Sequence, residues 1–188
     1  AVFLEDYLTA PERIEAARAG SPLEKIDQVA YKVENFLSKV ALLQHLLDFA
    51  PENSKILVFV SSRSLADRLY EAIEPSYVES LGIIHSNKAQ NFRFNTVQQF
   101  QTGEISILIA TDLIARGIDV TDVSHVINFD LPDSPENYIH RIGRTGRADK
   151  NGEAITFVAQ KDATLLASIE ALMQKQLDFA AAPEEVAF

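Results

Sequence analysis

Apolar and polar positions alternate along the chain in blocks that predict strands and helices in succession. Apolar runs predict strands over 26–33, 55–60, 79–85, 105–110, 125–129 and 154–158. Between them, apolar residues recur every three or four positions, which predicts helices over 36–49, 62–73, 90–101, 134–144 and 165–177. Because continuous apolar strands need cover on both faces, we expect an α/β fold with a mainly parallel sheet covered by helices on both faces.

The same pattern divides the chain into three parts. Residues 26–176 hold the whole alternation and are predicted to form one domain, which suits a chain of 188 residues. Residues 1–25 look peripheral, since Pro11 and Pro22 interrupt regular structure there. Residues 177–188 are predicted to be a C-terminal tail.

Composition removes several classes of function. The chain has no cysteine, which excludes disulfides, thiolate metal sites and cysteine nucleophiles. No apolar run approaches the roughly 20 residues of a membrane helix, and no secretion leader is visible, so we expect a cytoplasmic protein without membrane contact. Seventeen basic and 27 acidic residues give a net charge of −10, so any nucleic-acid site must be a local basic patch. The four histidines are not spaced like metal ligands, and we expect no metal site.

Ligands of parallel α/β sheets bind beyond the carboxyl ends of the strands. The segments just after Val60, His85, Ala110 and Phe129, together with the segment before Glu153, are therefore the candidates for function.

The segment after Ala110 carries a hydroxyl, a cation, a glycine and a carboxylate. Thr111 can donate to a phosphate oxygen, and Asp119 can accept from a sugar hydroxyl. The alternative is a capped helical turn in which Arg116 and Asp119 only pair with neighbouring residues.

The segment His140–Arg147 has arginine at every third position, namely Arg141, Arg144 and Arg147, with glycines between them. On a helix, positions three apart lie on one side, where three guanidinium groups repel unless an anion or a carboxylate lies among them. Arginine suits bidentate phosphate binding, so the triplet predicts a polyphosphate site. A solvated basic helix end is the alternative.

Two further helix starts carry polar side chains that suit phosphate. Gln90 and Arg93 lie one turn apart at a predicted helix N-terminus, and Ser61 and Arg63 follow the first apolar strand. Ordinary polar helix caps are the alternative for both pairs.

Half of a phosphate-hydrolysing site is missing from the sequence. None of the seven glycines precedes a lysine, so there is no Gly-Lys-Ser/Thr phosphate loop, and no Asp-Glu pair is present for magnesium. The chain therefore supplies cations for a transition state, and we expect another domain to hold the nucleotide and its metal.

These segments resemble the motifs of the C-terminal RecA-like domain of DEAD-box RNA helicases. Residues 110–119 resemble motif V, residues 140–147 motif VI, and residues 56–61 motif IV, while 85–93 resembles the family's His-Gly…Gln-x-x-Arg segment. His140 favours the DEAD-box group, because related DNA helicases usually have glutamine there. Ser86 stands where the family usually has glycine, a departure that leaves the shape of this loop open.

The resemblance implies a role for each matching residue. Arg144 and Arg147 would be arginine fingers on the ATP γ-phosphate, and Asp119 would contact the ribose. His140, Arg141 and Gln90 would couple the two domains. The residues that would bind the RNA backbone are Thr111, Arg93, Gly117, Ser61 and Arg63.

The resemblance also implies what lies beyond this chain. ATP and Mg²⁺ would be held mainly by an N-terminal RecA-like domain of the same polypeptide, with residues 1–25 as the interdomain linker or the end of that domain. The isolated chain is expected to be a monomer, to bind no cofactor and to be inactive. A DNA helicase or translocase domain and a non-catalytic docking module remain alternatives.

Overall fold

The computed structural model of the chain describes residues 22–117, 120–146 and 150–186. The expectations for residues 1–21 lie outside this range.

Seven strands of the described residues form one sheet in which every adjacent pair is parallel. They are β1 (Ile26–Lys32), β2 (Ile56–Val60), β3 (Leu81–Ile84), β4 (Ile107–Thr111), β5 (His125–Asn128), β6 (Gly152–Val158) and β7 (Asp178–Phe179). Their order across the sheet is β3-β4-β2-β5-β6-β1-β7. The predicted parallel α/β sheet is confirmed, and the two-residue β7 is an addition that the hydrophobic pattern did not indicate.

Six α-helices connect or follow the strands in the described part of the chain. They are α1 (Phe36–Asp48), α2 (Arg63–Tyr77), α3 (Gln90–Thr102), α4 (Asp112–Gly117), α5 (Pro135–Ile142) and α6 (Ala163–Met173). Side-chain caps set three of the starts: Asn35, Ser62 and Ser134 each accept a backbone N–H from three residues further on.

Two of the helices end differently from the sequence prediction. Helix α2 continues through Pro75 to Tyr77, since the fully buried Leu69 and Ile73 hold its last turns on the sheet. Helix α5 stops at Ile142 rather than near Arg144, because the chain turns at Gly143. The second difference changes the geometry of the arginine triplet.

The sheet separates two hydrophobic cores, so the fold is a three-layer sandwich. Helices α3 to α6 pack on one face through residues that include Phe100, Ile114, Tyr138 and Ile169. Helices α1 and α2 pack on the other face through residues that include Leu43, Leu69 and Ile73. Both cores are continuous along the sheet, which fixes the strand ends on which the candidate site depends.

The C-terminal residues close one edge of the sheet. Strand β7 pairs with Val29 and Ala30 of β1, and Ala180 N–H continues the pairing by donating to the carbonyl oxygen of Ala30 at 2.9 Å. Further on, Val186 is buried in the core beneath α1 and α2. The tail therefore belongs to the packed structure as far as it is described.

Candidate functional site

The segments that follow four neighbouring strands meet at the carboxyl edge of the sheet. They line an open cleft of about 430 Å³, formed by residues that include Ser61, Arg63, Ser86, Thr111, Leu113 and Asn137. The expectation that the segments after β2, β3, β4 and β5 come together is thus met. The cleft wall carries several hydroxyl groups and one guanidinium, which suits hydrogen bonding to phosphate oxygens.

Two residues predicted to touch phosphate are already engaged within the domain. Asp130 accepts the backbone N–H of Ser61 at 2.8 Å and also the Ser61 hydroxyl. The guanidinium of Arg63 donates to the side-chain oxygen of Asn87. Both side chains therefore shape the cleft wall through these bonds, whereas Thr111, at the end of β4, is 7% exposed at the cleft floor.

The loop after β3 settles the question raised by Ser86. The non-glycine residues with positive φ in the described chain are Asn53, Asp122 and Gln174, so Ser86 sits in an ordinary backbone conformation. His85 anchors the loop: its Nε2 lies 2.8 Å from Asp67 Oδ1, and the N–H of Asn87 donates to its Nδ1 at 3.2 Å. Serine at this position needs no backbone strain, and its side chain is exposed in the cleft.

Arg141 is turned into the domain and does not face solvent. It is 1% exposed, its Nε and Nη2 donate to the two carboxylate oxygens of Asp112 at 2.5 and 2.7 Å, and its Nη1 donates to the carbonyl oxygen of Asp130 at 2.7 Å. Its guanidinium also lies 5.2 Å from the ring centre of Phe59. Arg141 is therefore not exposed to a phosphate ligand, and Asp112 is the carboxylate that balances its charge.

Arg144 occupies a different environment, because α5 has ended before it. The turn after Ile142 carries Arg144, which is half-buried and lines a small cavity with Phe59, Asp112, His140 and Arg141. His140 is exposed at the same place. A docking module was expected to bury this whole segment in salt bridges, and the partial exposure of Arg144 and His140 does not match that expectation.

The end of motif VI runs away from the carboxyl edge. The Thr145 hydroxyl donates to the carbonyl oxygens of Val123 and Ser124, which precede β5 at the opposite edge of the sheet. Gly146 follows with a φ of 68° and lies against Lys25 and Ile26 at the start of β1. The segment before Glu153 was expected among the carboxyl-edge segments, and this placement is wrong, because α5 carries the chain down one face of the sheet.

A second open cavity, of about 420 Å³, lies where α3 meets the end of α4. It is lined by Gln90, Arg93, Phe94, Val97, Gln98, Gln101 and Gly117. The structure thus brings together Gln90, Arg93 and Gly117, which the sequence had placed in two separate motifs. A side chain at position 117 would meet no atom within 4 Å, so the space beside this glycine is open.

Burial shifts the pKa values of two charged residues near the cleft, Asp130 and Lys39. Desolvation raises the pKa of Asp130 above its ordinary value, although the hydrogen bonds from Ser61 and the nearby charges of Arg141 and Lys39 act against the rise. Desolvation also lowers the pKa of Lys39, which is 8% exposed. Asp112, Asn128 and Asp130 were not singled out from the sequence, although Asp112 and Asp130 each lie within two residues of the end of a predicted strand.

Two predicted site residues, Asp119 and Arg147, lie outside the described residues, and their roles stay predictions. Within the described ranges, histidines and carboxylates form no group of three that could hold a metal ion. The helices described here include none with the length and apolar character needed to cross a bilayer.

The fold and the arrangement of motifs define a helicase C-terminal domain of the RecA-like type. Residues 38–149 match the family model described as the helicase conserved C-terminal domain. The chain belongs to this family, on its DEAD-box RNA helicase branch.

Known proteins resemble the chain over most of its length. The DEAD-box ATP-dependent RNA helicase CshA of Bacillus subtilis is 37% identical over 175 residues, which cover 93% of this chain and 35% of CshA. The E. coli DEAD-box protein SrmB, in its complex with regulator of ribonuclease activity A, superposes with a TM-score of 0.76 at 36% identity, covering 86% of this chain and 93% of that one. S. cerevisiae Dbp5 bound to RNA and ADP BeF3 superposes with a TM-score of 0.75 at 30% identity. The match covers 84% of this chain and 42% of the Dbp5 chain. The chain spans about a third of the length of CshA.

Proposed function

We propose that this chain is the C-terminal half of an ATP-dependent RNA helicase. In this role it supplies arginine fingers to ATP held by an N-terminal RecA-like domain, and it binds the RNA backbone along its carboxyl edge. ATP hydrolysis in the closed two-domain clamp is thereby coupled to local separation of an RNA duplex.

The observation that carries the proposal is the ion pair between Arg141 and Asp112. Asp112 follows Thr111, which faces the cleft, and Arg141 precedes Arg144 by three residues. A bidentate pair of this kind is rigid in both distance and orientation. A shift of the cleft wall on RNA binding is therefore transmitted to the segment that carries the fingers.

The ATP side of the mechanism needs cations and no metal ligands from this chain. Arg144, with Arg147, would lie against the γ-phosphate oxygens when the clamp closes and stabilise the negative charge that grows there as the phosphoryl group passes to water. Such fingers are worth on the order of 10³-fold or more in related phosphoryl-transfer enzymes. Mg²⁺ and the remaining phosphate contacts come from the partner domain, and Asp119 would accept from the ribose.

On the RNA side the cleft offers hydroxyl groups rather than a dense positive charge. Thr111 at the floor and Ser86 at the rim would donate to phosphate oxygens, supported from behind by Ser61 and Arg63. With a net charge of −10, the chain alone is expected to bind RNA weakly. Contacts to the backbone alone imply little dependence on base sequence. The likeness to Dbp5, whose structure contains RNA, supports this assignment.

The proposal is tested with the full-length protein that contains this chain. Its ATPase rate should rise on addition of single-stranded RNA, and it should separate a short RNA duplex when ATP is present. Equal stimulation by DNA of the same sequence would favour the DNA translocase. No stimulation by either would favour a non-catalytic docking role.

A further inference from the structure

The cavity between α3 and α4 has the chemistry of a nucleobase pocket. Binding of the RNA backbone alone would not need such a pocket. Val97, which is buried, and Phe94, which is 66% exposed, both line it. Gln90 and Gln98 contribute side-chain amides, which can both donate and accept hydrogen bonds. An exposed aromatic ring beside amides can stack on a base and bond its edge.

Arg93 supplies the second observation that points to a ligand. Its Nε is buried and, among the residues that the structure describes, has no hydrogen-bond partner. A buried guanidinium N–H without a partner is costly unless a ligand completes it. An acceptor on a base or on its phosphate would satisfy this donor once the Arg93 side chain turns toward the cavity that it lines.

The position of the cavity identifies the source of the base. Helix α4 starts with Asp112 and Leu113 in the RNA cleft and ends with Gly117 in this cavity. Six helical residues span about 9 Å. The loop that begins at Ser86 likewise leads from the cleft to Gln90. A strand that leaves the cleft along these two elements would therefore bring its next nucleotide to the cavity.

We propose that this cavity accepts one unpaired nucleobase of the RNA strand held in the cleft, stacked on Phe94 and bonded by Arg93 and the glutamine amides. The inference rests on the proposed RNA-binding function and adds a base contact to it. Phe94 becomes an RNA-binding residue outside the motifs that the sequence analysis assigned.

The experiment measures the affinity of the full-length protein, with a non-hydrolysable ATP analogue, for a short oligouridylate and for an abasic RNA strand of the same length. Phe94→Ala should weaken binding of the oligouridylate about tenfold, the effect of losing one stacked base. Phe94→Trp should restore it. On the abasic strand, wild type and Phe94→Ala should bind equally, because no base remains to stack.

Two controls separate stacking from a structural or electrostatic effect. Phe49→Ala removes another exposed phenylalanine, 77% exposed, at the C-terminal end of α1 and should leave RNA affinity unchanged. Phe94→Ala should leave the melting temperature and the salt dependence of RNA binding unchanged. Arg93→Ala should instead lower the slope of log affinity against log salt concentration by about one.

Three results would overturn the pocket. The first is equal affinity of wild type and Phe94→Ala for oligouridylate. The second is that Phe94→Ala weakens binding of the abasic strand as much as it weakens binding of oligouridylate. The third is that uridine monophosphate competes for binding as strongly as RNA does. The last would assign the cavity to a free nucleotide. In each case RNA-stimulated ATPase in wild type would leave the helicase proposal standing, while its absence would reject the helicase proposal itself.

Discussion

Arg141 and Asp112 form a bidentate ion pair in which the guanidinium is 1% exposed, although the two residues lie 29 positions apart in the chain. The pair joins the segment after β4 to the end of α5, so one contact holds both motif V and motif VI in place. Its partners differ in exposure, since Asp112 is 22% exposed and reaches the cleft.

Removing the carboxylate should destabilise the domain. Asp112→Asn leaves Arg141 buried without its counter-charge, which costs about 3 kcal/mol in comparable buried pairs. The measurement is the free energy of unfolding of the chain in urea. Asp133→Asn, which removes an exposed carboxylate that accepts from Asn137, is the matched control and should cost less than about 1 kcal/mol. Equal midpoints for the two variants would contradict a structural role for the pair.

Arg144→Lys should lower kcat of RNA-stimulated hydrolysis in the full-length protein by at least about tenfold. Lysine keeps the positive charge but lacks the planar fork that can hold two phosphate oxygens. Because the contact forms in the transition state, KM for ATP should change less than kcat. Arg68→Lys, on the opposite face where Arg68 lies 3.8 Å from the Phe36 ring centre, is the control. Unchanged hydrolysis by Arg144→Lys would remove Arg144 from the finger role.

The isolated chain should show no ATPase activity with or without RNA. It carries neither a Gly-Lys-Ser/Thr loop nor an Asp-Glu pair, so it lacks the groups that hold the β- and γ-phosphates and the metal. The measurement is phosphate release by the purified 188 residues. Turnover that Arg147→Ala abolishes would show that the site is complete within this chain.

Asp130 should make the stability of the domain depend on pH. Its pKa in the folded state lies above the ordinary 3.8, so the folded state binds the proton more tightly than the unfolded state. The associated stability is present below about pH 3.8 and is lost as pH rises through the folded-state pKa. Asp130→Asn cannot titrate, so the unfolding free energy of wild type minus that of the variant should fall as pH rises through this window. A difference that rises instead would show that the hydrogen bonds from Ser61 outweigh burial.

Two glycines with positive φ should respond differently to alanine. At Gly103, with φ of 82°, a Cβ would meet no atom within 4 Å, so Gly103→Ala should cost only the backbone strain of about 1 kcal/mol. At Gly146, with φ of 68°, a Cβ would lie 2.6 Å from Ile26 Cγ1 and 3.2 Å from the Lys25 carbonyl oxygen. Overlap adds to strain there, and Gly146→Ala should cost about 3 kcal/mol. Urea unfolding of both variants tests the difference, and equal losses would contradict it.

Much of the fold follows from local pattern, because buried parallel strands must be continuous apolar runs. The strands 55–60 and 105–110 were visible for that reason, and both are interior strands with a neighbour on each side. The two-residue β7 carries no such run, and α4 is too short for a helical period. Both are set by tertiary contacts that the sequence does not display.

The sequence predicted which segments form the site, but not which of their side chains face the cleft and which are buried. Arg141 and Arg144 are the same residue type three positions apart, and nothing local distinguishes the buried one from the half-buried one. The difference arises because α5 ends between them and because Asp112 lies opposite Arg141 alone. Likewise, the cavity shared by Arg93 and Gly117 depends on where α3 and α4 pack.

The order of the strands has a consequence for biosynthesis. Strand β1 leaves the ribosome before the other described strands, yet its partners are β6 and β7, the last two strands of the described chain. Strand β1 cannot pair with β6 until Gly152, the partner of Ile26, has been synthesised. At ordinary translation speeds the time between synthesis of these two residues is roughly 6 to 25 s. During this delay the apolar side chains of β1 have no place in the sheet, so the nascent domain is a candidate for protection by a chaperone.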